Sequence, residues 1–455
     1  MTQRAKTSLD DTIAAIATPV GSGGIGIVRL SGPEARAILA RVFAGDTVPL
    51  RLTYGHVVDP ASGETVDEVL AVYMPAPRTY TRQDVVEIDC HGGPVPLRRV
   101  LDLCLAHGAR LAGPGEFTLR AFLNGRIDLA QAEAVADMVA AQTDAGLRLA
   151  VAQLDGHLSD RFQAVRARLL DALAWVEASI DFDEDEVPPH EVAADLQFAE
   201  ERLSDLLAGA ERGIITRQGI RTAIVGQPNV GKSSLLNALL RVDRAIVTPI
   251  PGTTRDTLEE TLNLHGIPLV LVDTAGIRAD TRDLVEDLGV ARSRAALAQA
   301  DLALVVVDAS RAVDDGDRAI AALAGDRPAI VAINKTDLPV RADARGLLSG
   351  APMVEISALT GAGINDLERA IEAVIFGGQV VASDAALVSS PRHRDVLRRA
   401  HTDVSTAAEA SQTGMPLDFV SIGLRAAVNA LGEITGETVS DTLLETIFSR
   451  FCIGK

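Results

Sequence analysis

The sequence predicts a multidomain protein of mixed α+β and α/β class. An N-terminal α+β domain is expected over residues 1–118, a helical domain in two segments, 119–218 and 380–455, and an inserted α/β domain over 219–379. Three observations lead there. At 455 residues the chain exceeds what one hydrophobic core usually organises. Strand-like runs near the N-terminus give way to helical periodicity, and a stretch of alternating strands and helices interrupts that periodicity. Each helical segment is short for a stable bundle, so the two are expected to pack together around the insertion.

The elements follow in chain order. From Thr12 to about Gly115, the runs IGIVRL, GHVVD, DEVLAVYM and VVEIDC are β-branched and separated by Gly and Pro signals, so they read as strands. From Leu119 to Gly213, LAQAEAVADMVAAQ and RFQAVRARLLDALAWVEASI place apolar residues at three- and four-residue spacing, the pattern of amphipathic helices. The acidic run Asp181 to Glu186 and Pro188-Pro189 end that pattern. Between 219 and 379, RTAIVG, PLVLVD, DLALVVVD, PAIVAIN and PMVEIS alternate with helices, as in a mostly parallel sheet covered on both faces. Residues 385–447 are helical again, and no internal repeat or low-complexity segment appears.

Hydrophobic residues make up 47% and charged residues 23%, which suits a globular protein and excludes a disordered one. The net charge of −19 is the wrong sign for a broad phosphate-neutralising surface, so any RNA contact is local or shared with a partner. Cys90, Cys104 and Cys452 form no CxxC pair, which points to reduced thiols. No basic leader or 18-residue apolar run is present, so a cytoplasmic protein without a membrane span is expected.

The strand RTAIV runs into Gly226-Gln-Pro-Asn-Val-Gly-Lys232-Ser233 and then SLLNALL, which is GxxxxGKS in the strand-loop-helix context that the motif needs. Gly226 and Gly231 let the backbone wrap phosphates, and the amides of Asn229, Val230, Ser233 and Ser234 face their charge. Lys232 reaches the β and γ phosphates, and Ser233 offers an oxygen to Mg²⁺. Asp273-Thr274-Ala275-Gly276 follows PLVLV, where a carboxylate supports the Mg²⁺ shell and an amide meets the γ-phosphate.

Asn334, Lys335 and Asp337 follow PAIVAI. A carboxylate at Asp337 accepts from guanine N1–H and the exocyclic amine, a donor pair that adenine lacks. Ser357, Ala358 and Leu359 complete the base pocket. These motifs, each after a strand, assign a P-loop GTPase domain of Ras-like type. The stretch Thr248-Pro249-Ile250-Pro251-Gly252-Thr253-Thr254 stands where a switch segment closes over the γ-phosphate. Ile277 directly follows DTAG, so the Gln that orients water in Ras-like enzymes is missing. Glu286 is the candidate to replace it, although an acidic residue on such a segment is by itself more often a solvated helix charge.

With IATPVGSGGIGIVRLSG, HGGPV, GPGEFTLRAFLNGRIDLAQAEAVADM, TPIPGTTRD and the tail FSRFCIGK added, the chain resembles the tRNA modification GTPase family MnmE (TrmE) over essentially its full length. The resemblance implies a homodimer whose N-terminal domain binds a tetrahydrofolate derivative, the one-carbon donor. It implies an MnmG-type partner that brings its own FAD, in a heterotetramer or larger complex, and a tRNA substrate. The pair would add a (carboxymethyl)aminomethyl group at C5 of the wobble uridine. It also implies K⁺-stimulated hydrolysis, with K⁺ held by Asn229, Thr248, Ile250 and Thr253, Mg²⁺ by Ser233 and Thr254, and water oriented by Glu286. Folate positions fall on Arg29, Glu87, Arg126 and Lys455, with Arg126 replacing the Lys of many members.

Other features have plainer readings. Cys452 is either a reactive thiol or part of a docked apolar anchor. Gly21-Ser-Gly-Gly-Ile-Gly26 precedes its strand and is not a dinucleotide fingerprint, so no FAD or NAD is expected on this chain. His56 and the pair Cys90-His91 read as structural and not as metal ligands. The competing functional class is a GTPase switch gating RNA or ribosome assembly, for which a basic RNA-binding domain would be expected and is not seen.

Overall fold

The computed structural model describes residues 10–19, 21–183, 186–242, 260–272, 293–377 and 387–455. The chain divides into two compact units. One comprises Met1–Val139, Gln153–Leu196 and Asp403–Lys455, the other Ala140–Ala152 and Gln197–Thr402.

The first unit contains a seven-stranded sheet. Its strands are β1 (Ile13–Ile16), β2 (Ile25–Ser31), β3 (Phe43–Ala44), β4 (Thr53–Val58), β5 (Thr65–Met74), β6 (Val85–His91) and β7 (Arg110–Leu111), in the order β3-β4-β5-β6-β2-β1-β7. All pairs are antiparallel except β1 with β7. Period-2 alternation decides which side each residue serves. Val86, Ile88 and Cys90 of β6 pack with Val28 and Leu30 of β2 under the helices Ala35–Val42 and Pro94–Ala106. Glu87 and Asp89 therefore go to the other face, and the ladder sets Glu87 opposite Arg29. Burial pushes the Cys90 and Cys104 thiols up to about 12, so both stay protonated in the core.

The helical part of this unit joins distant segments. His157–Asp181 buries Phe162, Val165, Leu169, Ala172 and Val176 at three- and four-residue spacing and packs along Leu417–Thr435. Arg166 reaches across to donate to the Val428 carbonyl at 3.3 Å.

The second unit contains a six-stranded sheet of β8 (Ile220–Val225), β9 (Glu260–Leu264), β10 (Ile267–Val272), β11 (Leu302–Asp308), β12 (Ala329–Asn334) and β13 (Met353–Glu355). The order is β13-β12-β11-β8-β10-β9. Only β9, at the edge, runs antiparallel. Every residue of β10, β11 and β12 is buried. Leu302, Leu304 and Val306 point into one core and Ala303, Val305 and Val307 into the other, so both faces are covered. Each such Leu or Val contributes about 1.5–3 kcal/mol on burial, which is why the strands read as unbroken apolar runs.

Candidate functional site

The loops at the C-terminal ends of the parallel strands form the first site, where ligands sit in open α/β sheets. β8 ends at Val225, the loop Gly226–Gly231 follows, and the helix Lys232–Val242 starts at once. Asn229 adopts φ 60°, a left-handed conformation that Asn tolerates better than most side chains. The Lys232 ammonium donates to the carbonyls of Gly226 at 3.0 Å and Gln227 at 2.8 Å.

Asn334, the last residue of β12, and Lys335, the first after it, tie this loop to the segment Ser357–Leu359. Asn334, 2% exposed, donates from Nδ2 to the Val230 carbonyl at 2.8 Å and accepts at Oδ1 from the Ala358 amide at 2.9 Å. Lys335 donates to the Asn229 carbonyl at 2.6 Å and pairs with Asp308 at 2.6 Å. Burial alone would raise the Asp308 carboxyl, but Lys335 and Ser310 outweigh it and hold the group below its ordinary range. Ser357 donates from Oγ to one oxygen of Asp337 at 2.6 Å, which orients the carboxylate proposed for guanine, and Leu359 stands 83% exposed beside it. Ser233 and Ser234 occupy the first turn of the helix Lys232–Val242.

Asn229 to Ser234, Asn334, Lys335, Asp337 and Ser357 to Leu359 are thus grouped at one end of the sheet. Thr248 to Thr254, Asp273 to Gly276 and Glu286 lie outside the described residues. Sequence reasoning missed Asp308, although its place at the end of an apolar strand, as with Asp273, is the signal that would find it. It also missed Gln227, whose amide donates to Asp314, the N-cap of the helix Asp315–Ala322.

A second constellation sits on the N-terminal sheet. Arg29 and Glu87 pair at 2.7 Å with both side chains about one quarter exposed, at 23% and 24%. Arg29 also donates to the Gly454 carbonyl at 3.3 Å, and its guanidinium lies 5.9 Å from the Phe117 ring centre. Backbone contacts also hold the C-terminal tail. Gly115 N–H donates to the Cys452 carbonyl at 3.3 Å, Phe117 N–H to the Lys455 carbonyl at 3.2 Å, and Ile453 bridges Pro114. Gly454 has φ 96°, and a Cβ there would stand 2.5 Å from the Ile16 carbonyl.

The Arg126 guanidinium covers the Tyr80 ring at 4.6 Å, and Tyr80 packs on the Phe117 cluster and bonds Thr118 at 2.9 Å. Arg29, Glu87 and the tail therefore touch, while Arg126 joins them through Tyr80. The Cys452 side chain is exposed beside a docked backbone.

The helix Glu116–Leu123, which carries Phe117, also carries part of an ionic cluster that sequence reasoning did not single out. Arg120 is fully buried and pairs with Asp11 and with Glu116, the latter at 3.1 Å. Arg110 binds the same two carboxylates, at 2.7 Å and 2.6 Å. Burial pushes Asp11 and Glu116 upward, yet the two arginines outweigh it and both carboxyls end below their ordinary values. The i, i+4 spacing of Glu116 and Arg120 was the available signal.

The glycine-rich Gly21–Gly24 stretch packs against HGG, with Gly23 N–H donating to the Gly92 carbonyl at 2.7 Å. His91 pairs with Asp67 at 2.6 Å, which raises its pKa. His56 meets Tyr54 edge-on at 5.8 Å. Among the described residues no cluster of metal-ligating side chains occurs, and no helix is long and apolar enough to cross a membrane.

Comparison with known proteins extends beyond the two sites. Residues 129–452 match the model of the MnmE helical domain, and residues 12–126 match that of the GTP-binding protein TrmE N-terminus. The chain is 54% identical to the tRNA modification GTPase MnmE of Roseiflexus castenholzii, covering 98% of this chain and 99% of that protein. It is 53% identical to that of Chloroflexus aurantiacus and 52% to that of Geobacter metallireducens, each over 98% of this chain and 100% of the relative. Likeness at this level reaches the tail and the N-terminal sheet as well as the nucleotide loops, and so the chain belongs to the MnmE family of tRNA modification GTPases.

Proposed function

We propose that the protein is a GTP-hydrolysing enzyme of tRNA modification that works on C5 of the wobble uridine. It acts as a homodimer with an FAD-dependent MnmG-type partner, uses a folate one-carbon donor and installs a (carboxymethyl)aminomethyl group. It works in the cytoplasm. Residues 1–118 form the dimerising, folate-binding domain, 119–218 with 380–455 the helical domain, and 219–379 the inserted G domain.

The observation that carries this reading is the fastening of the phosphate loop to the base pocket through Asn334 and Lys335, with Asp337 oriented by Ser357. That geometry suits guanine, because an Asp337 carboxylate covered by a base without the donor pair would cost about 1–3 kcal/mol. Lys232 turns from the loop carbonyls to the β and γ phosphates when nucleotide enters.

Ser233, at the phosphate-facing helix start, has the hard oxygen that Mg²⁺ takes, with Thr254 as its second protein ligand. The Asn229 carbonyl is occupied by Lys335, which leaves its exposed side chain for K⁺, together with Thr248, Ile250 and Thr253. These cations supply positive charge where negative charge grows during phosphoryl transfer. Glu286 orients the attacking water, and the Thr248–Thr254 segment and Asp273–Gly276 close around the γ-phosphate.

On the N-terminal sheet, Glu87 suits the 2-amino-4-oxo edge of a pterin, and Arg29, Arg126 and Lys455 suit carboxylates of the glutamate tail. Cys452 stands exposed and is the candidate reactive thiol of this site.

The test is steady-state GTP hydrolysis in potassium against sodium chloride at equal ionic strength, with Glu286→Ala alongside. A large potassium preference that Glu286→Ala abolishes is the expected result. Equal rates in the two salts would remove the K⁺ role of Asn229, Thr248, Ile250 and Thr253 and favour a switch that waits for an outside activator.

A further inference from the structure

The β9–β10 hairpin has an unusual place in the chain. β9 begins directly after the stretch that holds Thr248–Thr254, and β10 ends directly before Asp273. Because β10 runs parallel to β8, with Val272 opposite Ala223, its far end opens beside the phosphate loop and its turn lies at the opposite end of the sheet.

That turn is gripped from two sides. His265, at φ 49°, places Nδ1 2.5 Å from Glu372 on the helix Ile364–Phe376. On the other side the Thr143 hydroxyl donates to the Gly266 carbonyl at 2.9 Å and accepts from the Gly146 amide at 3.1 Å. One hydroxyl thus holds the hairpin and caps the helix Asp144–Leu154. Thr143 is 7% exposed, so water competes weakly for either bond. Gly266 has φ 96°, and a Cβ there would lie 2.9 Å from that of Ala145, so nothing separates the two surfaces.

We propose that Thr143 is a positioning residue for GTP hydrolysis. It clamps the hairpin turn to residues 143–146 and thereby sets the point at which two reactive segments join the sheet. This rests on the GTPase reading above. The ladder to β8 fixes the register of β10, since a slip by one residue would move every side chain to the wrong face. It leaves small shear and twist of the edge pair to be set by contacts at its ends. Such displacements matter because a misplacement of about 1 Å at a reacting centre costs about a hundredfold in rate. By reciprocity, a strand position imposed by the bound nucleotide also acts back on the Thr143 contact and on the helix that it caps.

The test compares full-length wild type, Thr143→Val and Thr143→Ser in GTP turnover and GDP binding. Valine keeps the shape and removes both hydrogen bonds, while serine keeps the hydroxyl. The expected result is a kcat about tenfold lower for Thr143→Val, with KM and GDP affinity unchanged, and recovery to within about twofold of wild type by Thr143→Ser. Gly266→Ala, which pushes the turn off Ala145 from the other side, is expected to lower kcat in the same way. Wild-type kcat in Thr143→Val overturns the proposal, as does an equal loss in the valine and serine variants or a parallel loss of GDP affinity. A wild type that hydrolyses no GTP overturns the GTPase reading and the proposal with it.

Discussion

The two sheets solve the problem of placing functional groups in opposite ways. In the nucleotide-binding sheet the parallel strands are buried on both faces, so side chains within them are spent on packing. Function is left to the loops at one set of strand ends, and each functional motif is a contiguous stretch of sequence. The N-terminal sheet buries one face under helices and on the other keeps Arg29 and Glu87 partly exposed beside the small cluster of Ile13, Ala15 and Phe117, so these groups come from the middle of strands. Their partners come from a helix start near Phe117 and from the tail at Gly454, hundreds of residues away. A parallel α/β site concentrates its information locally, whereas an antiparallel face gathers it from the whole chain.

If that contrast holds, single changes in the first site should act sharply on one ligand and leave the second alone. The largest effect is expected from Asp337→Asn, which replaces an acceptor of two hydrogen bonds with a group that donates. GTP affinity should fall about a thousandfold, with xanthosine triphosphate gaining, while folate binding is unchanged. Competition binding of the two nucleotides reads this directly, and an unchanged GTP affinity would contradict the base-pocket assignment.

Arg120→Leu tests the support under the second site. Removing one partner of a buried ionic cluster leaves Asp11 and Glu116 short of positive charge and should cost about 3–5 kcal/mol. At about 2–4 °C per kcal/mol, the thermal midpoint of the first unit should fall by roughly 10 °C. The nucleotide-binding unit should keep its GDP affinity, and a common loss in both would blur the distinction between them.

Gly454→Ala is a milder break in the same site. The left-handed φ and the 2.5 Å approach to Ile16 leave no place for a methyl group, so the tail should undock. Binding of 5-formyltetrahydrofolate should weaken about tenfold, with kcat for GTP unchanged. Titration calorimetry on the variant settles whether the tail belongs to the ligand site or only anchors the chain.

The smallest effect concerns pH. The ordinary carboxyl values are 3.8 for Asp11 and 4.5 for Glu116, and both are held lower in the folded protein. Their ionised forms therefore add stability that is complete above the unfolded values and is lost as pH falls below about 4.5 and through the folded ones. Wild type should lose stability more steeply than Arg120→Leu between about pH 5 and pH 3, and parallel curves would show that the arginines do not hold these carboxyls down.

Legibility in the sequence followed the same division. GxxxxGKS, Asn334-Lys335-Thr336-Asp337 and Ser357-Ala358-Leu359 were readable because each is one contiguous stretch at the end of an apolar strand. The strands IGIVRL and VVEIDC were readable by alternation, and so was the helix over His157–Asp181 by its spacing. Arg120 was not, because an arginine in a helix reads as solvated until its burial is known. Thr143 was not either, since nothing near it in sequence points to Gly266.

What the sequence determined by itself is therefore everything carried by local spacing: the GxxxxGKS loop after its strand, the strand and helix periods and the family. Tertiary structure alone decided that Arg29 would face Glu87 and touch Gly454, that Arg120 would be fully buried between Asp11 and Glu116, and that one threonine would bind a distant turn. The physical reason is that strand pairing and core packing bring together residues whose separation along the chain leaves no mark on either one's neighbours.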